Sequence, residues 1–425
     1  MNTAIVMSTR GFGVFRHDLL VDPGSVRFIG IFSEQDAPNL TDEQRQWFDQ
    51  VHVVPCGVPD PTPLIASLVD AEAARRVIRD ALTETDLDHL SLHSYDEQNV
   101  LLAAQLRTEF GIRGATYDQI LPFRDKLVMK DRVRAAGVRV PRFGHYRPEE
   151  FAARTDAYFE EIVAEVGLPF ILKPIDSAGA EGVHKVTSLD DFRALPADLG
   201  RDYEYEEFIS GTMYSVNIVS KDRRTVFGGV TEYLVNSFDV QAGRVNADIN
   251  LIDHDPRVAR MVRFAERALD ALGWPDGGSH LELFLTRDDE LVFLEVAARF
   301  KGMAGLAAMQ RNYGIAFVNL AFELETGIAS RPYDDEQVYC FDGVVPKQAG
   351  VVDRLVEPEL ESEYAMTWKV KPGDEIVRSN SLLANGGTFL VWNKDYDMLY
   401  RDFQRLAAYQ PIIYQEPAAL GRRAS

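Results

Sequence analysis

Residues 281–302 read LELFLTRDDELVFLEVAARFKG. Two apolar runs, Leu281–Leu285 and Leu291–Val296, flank the polar, turn-rich segment Arg287–Glu290. That pattern predicts a β-hairpin with a four-residue loop. In the register that sets Leu285 against Val292, Phe284 faces Phe293 and Glu282 faces Glu295. Residues 281, 283, 285, 292, 294 and 296 then form one apolar face. The opposite face carries two phenylalanines and two glutamates, so protein is expected to cover both.

Directly opposed side chains on antiparallel strands lie about 5 Å apart at Cβ, where like charges repel. Carboxylates on an otherwise apolar face are strongly unfavourable unless neutralised. A shared proton would relieve the pair, and so would a divalent cation. Mg²⁺ is typically held by one or two carboxylates together with phosphate oxygens. Arg299, just beyond the second strand, is placed to clamp an anionic group at the same point. The plain alternative is a solvated hairpin with both glutamates in water, and the stretches upstream argue against it.

The chain has 425 residues, enough for several domains, and 46% of them are hydrophobic. Its formal net charge is −21 and it has no Lys/Arg-rich run, which argues against nucleic-acid or anionic-membrane partners. The two cysteines, Cys56 and Cys340, form no metal or redox spacing and fit a reducing compartment. The opening MNTAIVMSTRG lacks a basic leader and reads as a first strand. Nothing approaches an 18-residue apolar span, so a cytoplasmic protein is expected.

Residues 1–112 alternate strand-like runs (Ala4–Met7, Val26–Phe32, Val51–Val54, His89–His93) with helix-like ones (Thr62–Thr83, Glu97–Phe110). That alternation predicts a parallel sheet covered by helices. Gly11-Phe12-Gly13 lacks the third glycine of a dinucleotide fingerprint and reads as a tight turn. A helix is expected over about Arg124–Ala136, stopped by Gly137, with Lys126 in its first turn. A lysine there opposes the helix dipole unless an anion is drawn to the same helix end.

In 169–186, PFILKPIDSAGAEGVHKV, a strand Phe170–Leu172 runs into Lys173. The small loop Ser177–Gly182 follows, and then a strand Val183–Val186. Small residues such as Ser177, Gly179 and Gly182 let backbone N–H groups approach phosphate oxygens, with Lys173 as the accompanying charge. The strand–loop–strand setting excludes a Walker loop, which requires a following helix. Tyr203–Ile209 and Tyr214–Ile218 read as strands, and the edge Glu207–Ile209 is either plain core or the flat apolar slot with a backbone donor–acceptor pair that an adenine ring needs. Helices are expected at Pro256–Leu272, Ala307–Thr326 and Tyr396–Ala408. Residues 336–425 otherwise hold short strands and no visible catalytic cluster.

Taken in order, RDKLVMK, PFILKPIDSAGAEGV, YEEFISG, HLELFL and FLEVAARFKG resemble the ATP-grasp ligases over about Asp96–Thr326. The EVAAR wording and DEQNVLLAAQLRTEFGIRG are most like the carboxylate–amine ligases that join L-amino acids into dipeptides, with a biotin-carboxylase-like layout. The implied fold class is multidomain α/β and α+β. It comprises a Rossmann-like domain at 1–112, an ATP-grasp domain at 113–333 with a mobile lid at about 140–207, and a small C-terminal α+β domain at 334–425.

The resemblance implies ATP and Mg²⁺ (or Mn²⁺) as cofactors. Lys126 and Lys173 would contact phosphates beneath a lid loop at Ser177–Gly182. Glu206, Glu207 and Ile209 would form the adenine hinge, the last two through backbone groups. Glu282 and Glu295 would ligate the metal, and Arg299 would hold the acyl group. His280, two residues before Glu282, shares its strand face and is either a ligand to the acyl phosphate or a core histidine. The implied partners are small carboxylate and amine substrates, most simply amino acids, and the layout favours a homodimer.

Three positions depart from the family pattern. Met213 stands where a ribose-binding glutamate is common, and Ala297 where a third metal ligand often falls. No lysine lies within Thr231–Asn246, which leaves Arg244 as the expected substitute near the γ-phosphate. Three readings stay open: amide-bond formation between amino acids, the same activation with a carrier thiol or carboxylation as its outcome, or nucleotide binding without catalysis.

Overall fold

The computed structural model describes residues 1–415 apart from 59–67, 197, 237–239, 241–242, 303 and 378–383. The first unit is a four-stranded parallel sheet of β1 (Asn2–Met7), β2 (Val26–Ser33), β3 (Gln50–Val54) and β4 (Leu90–His93), ordered β3-β2-β1-β4. The central strands β1 and β2 are apolar on both sides because both sides are covered, whereas β3, at the edge, is partly exposed. Ile5, Met7, Ile29 and Ile31 pack on α1 (Ala71–Leu82) and α2 (Val100–Phe110). Ala4, Val6 and Phe28 pack on Phe317 and Phe322 of a helix over 200 residues later in the chain. The first helix is shorter than expected: it starts at Ala71, where the Asp70 carboxylate accepts the Ala73 N–H. The expected start at Thr62 lies outside the described residues. The second helix likewise starts at Val100 rather than Glu97, which frees Glu97 from the helix.

Next come α3 (Lys126–Ala135), α4 (Pro148–Val166) and a four-stranded antiparallel sheet. Its strands β5 (Phe143–His145), β6 (Phe170–Pro174), β7 (His184–Val186) and β8 (Tyr203–Glu207) are ordered β5-β8-β6-β7. The largest element follows, an eight-stranded antiparallel sheet in the order β13-β12-β9-β10-β11-β14-β18-β16. Those strands are β9 (Gly211–Lys221), β10 (Arg224–Tyr233), β11 (Asn246–Asn250), β12 (Gly277–Thr286), β13 (Leu291–Ala297), β14 (Tyr339–Val345), β16 (Glu363–Trp368) and β18 (Gly387–Asn393). The C-terminal strands β14, β18 and β16 therefore continue the sheet that holds the hairpin. Only β15 (Gly350–Leu355), β17 (Glu375–Ile376) and β19 (Ile412–Tyr414) pair separately.

Period-two alternation gives this sheet two unlike faces. On one, Tyr214, Val216, Ile218, Val230, Leu281 and Leu283 bury against α5 (Pro256–Leu272). Further along, Ala247, Ile249, Phe341 and Val391 bury against α8 (Tyr396–Arg405). Residues that alternate with these, among them Met213, Tyr233, Asn246, Asp248, Glu282 and Asp342, line one cleft of about 720 Å³ on the other face. The expected single helix at Ala307–Thr326 is two, α6 (Gly305–Tyr313) and α7 (Phe317–Thr326). Gly314, at φ +64°, ends the first in the left-handed conformation that glycine adopts without strain. No helix among the described residues is long and apolar enough to cross a membrane.

Candidate active site

The hairpin pairs Glu282 directly with Glu295, as read from the sequence. Beyond that pair the register shifts, so that Leu283 faces Phe293, Phe284 faces Val292 and Leu285 faces Leu291. Leu294 is the extra residue of a β-bulge. The expected facing of Phe284 with Phe293 and of Leu285 with Val292 is thereby corrected. Phe293 joins the apolar core with Leu281 and Leu283, while Leu294 and Glu295 both line the cleft. A one-residue shift reverses the sidedness of every position after it, which alternation alone does not reveal.

The opposed carboxylates are embedded among donors and cations. Tyr233 Oη donates to Glu282 Oε1 over 2.9 Å, and His280 Nε2 lies 3.6 Å from the same oxygen. His280 Nδ1 pairs with Asn217 Oδ1 at 2.8 Å, which fixes the ring toward Glu282. Burial pushes the Glu282 carboxyl up, but His280 and Tyr233 outweigh it and hold the group below its ordinary range. Lys126 Nζ stands 3.4 Å and Lys173 Nζ 3.9 Å from Glu295.

Each lysine is placed by its element. The Asp125 side chain caps α3 through the Leu127 and Val128 N–H groups, which sets Lys126 at the first helical position. Lys126 Nζ donates to the Ser177 carbonyl over 2.5 Å, tying the helix start to the small loop. Lys173, on β6, reaches Glu206 at 2.8 Å and Glu204 at 3.7 Å. Burial lowers its pKa, but the Glu206, Glu204 and Glu295 carboxylates raise it further. Sequence reading missed Lys130, one helical turn after Lys126, which is fully buried, lies 2.6 Å from Glu204 and also binds Glu206. Its i, i+4 relation to Lys126 was the available signal. Glu206 is therefore held by two lysine side chains, whereas Glu207 pairs with Arg139 and Arg142 at 3.1 and 3.3 Å. Ile209 and the loop residues Ser177 and Gly179 line the same cleft. Gly182 is not among the lining residues; it turns at φ +72°, where a Cβ would meet Tyr203 Oη at 2.8 Å and Pro174 Cγ at 2.9 Å.

Arg299 Nε donates to Glu97 over 2.6 Å, and Glu97 also binds Arg124. Burial opposes ionisation of Glu97, yet the Arg299, Arg124 and Lys126 charges bring its pKa down to about 2. The first unit thus contributes a carboxylate that holds the arginine in place. Met213 and Ala297 both line the cleft. Arg244 is exposed and is not among the lining residues, so the expected substitute does not stand there. Lys301 and Lys369 do line it, and neither was singled out in the sequence. Glu282 and Glu295 offer hard carboxylate oxygens from facing strands, a donor set that suits Mg²⁺. Among the described residues no group of three His, Cys, Asp or Glu completes a protein cage, so phosphate and water would fill the remaining positions.

Residues 123–303 match the family model described as an ATP-grasp domain. The chain is 24% identical over 288 residues to an L-arginine-specific L-amino acid ligase of Bacillus subtilis. That match covers 64% of this chain and 62% of the ligase. The fold superposes on an L-amino acid ligase from Bacillus licheniformis with a TM-score of 0.69 and 17% identity, covering 98% of this chain and 99% of the other. A carboxyaminoimidazole ribonucleotide synthase from Aspergillus clavatus, complexed with ATP, superposes with a TM-score of 0.63 and 14% identity over 95% and 97% of the two chains.

Proposed function

We propose that this chain, whose residues 123–303 form an ATP-grasp domain, is an ATP-dependent ligase. It activates the carboxylate of an amino acid as an acyl phosphate and couples it to an amine, releasing ADP and phosphate. One observation carries the reading. The facing carboxylates Glu282 and Glu295 share a cleft with Lys126, Lys173 and Arg299, beside the small loop Ser177–Gly182.

Glu282 and Glu295 would hold Mg²⁺ (or Mn²⁺), which when bound offsets charge on the phosphate oxygens. The chain's own residues do the rest by positioning and charge neutralisation, as in other phosphoryl transfers. Lys126 and Lys173 rest on Glu295 and Glu206 and would turn to phosphate oxygens. Glu207 and Ile209 would bracket the adenine. Arg299, steadied by Glu97, would hold the substrate carboxylate while one of its oxygens attacks the γ-phosphorus and ADP leaves. The same guanidinium would offset the oxyanion that forms when the amine adds to the acyl carbonyl. Collapse of that adduct expels phosphate, and the amine loses its proton. Closure of Ser177–Gly182 would keep water from the acyl phosphate.

ADP release measured over all pairs of the twenty L-amino acids tests the reading. Release that requires two amino acids supports it. Release that requires bicarbonate, or one amino acid with a carrier protein, replaces the amine acceptor. No release with any of these contradicts catalysis.

A further inference from the structure

The polar face of the large sheet continues beyond the facing glutamates. Tyr233 pairs in register with Asp248, and Asp248 with Asp342. Lys301, two residues past Arg299, reaches in from the loop after β13 and binds both aspartates, Asp342 at 2.9 Å. Asp248, Asp342 and Lys301 are 6%, 3% and 6% exposed, and all three line the cleft. Two buried carboxylates thus share one ammonium, which leaves one negative charge uncompensated. Lys369 also lines the cleft but forms no ion pair among the described residues. Asn246 is two residues before Asp248 on the same strand face. It is 6% exposed, lines the cleft, and its Oδ1 has no hydrogen-bond partner. A buried acceptor without a donor and a surplus carboxylate lack the same thing, a cationic donor.

We infer that Asn246, Asp248 and Asp342 form a subsite for a cationic side chain of an amino-acid substrate. The inference rests on the ligase reading above. Its location selects a side chain over the reacting groups. Three strand intervals separate β12, which carries Glu282, from β11, which carries Asp248. At about 4.8 Å each, their backbones are about 14 Å apart. The carboxylate being activated and the amine that attacks it must both lie at the Glu282–Arg299 end. A positive group at the Asp248 end is therefore remote from both, as the ammonium of lysine or the guanidinium of arginine would be. Burial pushes the Asp342 carboxyl up despite the Lys301 charge beside it, as expected where a compensating charge is missing. Lys301 is itself held by packing, since a Cβ at Gly305 would meet its Cε at 2.5 Å.

Equilibrium binding separates this inference from the ligase reading, which ADP release decides. L-arginine and L-lysine are titrated calorimetrically into the full chain with magnesium and a non-hydrolysable ATP analogue. Their uncharged counterparts L-citrulline and L-norleucine are titrated in parallel. The expected result is that at least one basic amino acid binds about 100-fold tighter than its neutral counterpart. Asp248→Asn and Asp342→Asn should each cut that ratio at least tenfold without changing affinity for the nucleotide. Should either variant fail to fold, Asn246→Ala must still lower the ratio threefold or more. Equal binding of charged and neutral ligands overturns the inference. So does an unchanged ratio in Asn246→Ala, or failure of every amino acid to bind.

Discussion

At the scale of single residues, the chemistry concentrates on side chains whose charge is set by neighbours distant in sequence. Glu295→Gln removes one of two facing carboxylates and keeps the shape. ADP release should fall by orders of magnitude, with the thermal unfolding midpoint little changed; near-normal release would contradict the metal assignment. Lys173→Ala should raise the KM for ATP more than Arg299→Ala does, while Arg299→Ala should act mainly on the acyl substrate. Substrate-resolved kinetics of the two variants check the split. Glu97 gives a pH signature. Its folded pKa is about 2 against an ordinary 4.5, so its contribution to stability is present above 4.5 and lost as pH falls toward 2. The difference corresponds to about 3 kcal/mol. The stability gap between wild type and Glu97→Gln should therefore be widest near pH 7 and narrow below pH 4.5 in denaturant titrations. A gap independent of pH would show that Glu97 acts through packing alone. Residues inside local motifs, such as Lys126, Lys173, Glu282 and Glu295, could be singled out in the sequence. Lys130 offered only its i, i+4 spacing from Lys126, its partners being 74 and 76 residues away, and Lys301 and Asp342 offered nothing, because they sit 41 residues apart and meet only when the loop after β13 packs on the sheet.

At the scale of elements, most strands and helices follow from apolar periodicity, and the exceptions have physical causes. Alternation places side chains on faces but is blind to an inserted residue, so the bulge at Leu294 moved Phe293 and Leu294 to the sides opposite those expected. The long pattern over 307–326 keeps helical spacing through Gly314, and only the left-handed φ there divides it. Gly314→Ala should destabilise the fold by about 1 kcal/mol through that φ. Its Cβ meets nothing closer than 3.5 Å, so a steric clash adds little. A denaturation midpoint equal to wild type would refute the strain argument.

At the scale of the whole molecule, the αβ alternation of the first unit and the hairpin of the second were readable from sequence order alone. The way the last fifth of the chain joins them was not. Its strands look like those of a free-standing module, yet β14 pairs with β11 residue for residue from Asn246 to Ile249. A chain truncated after 333 should leave the outer edge of β11 unpaired and Ala247 and Ile249 uncovered. Such a fragment should self-associate in light scattering, whereas a soluble, folded monomer would contradict that expectation. The shared sheet also bears on descent. A terminal cassette joined in the loop at 331–338 would have to rebuild the β11–β14 ladder to cover Ala247 and Ile249. Point replacements along strands already committed to one another make the smaller demand on such a sheet.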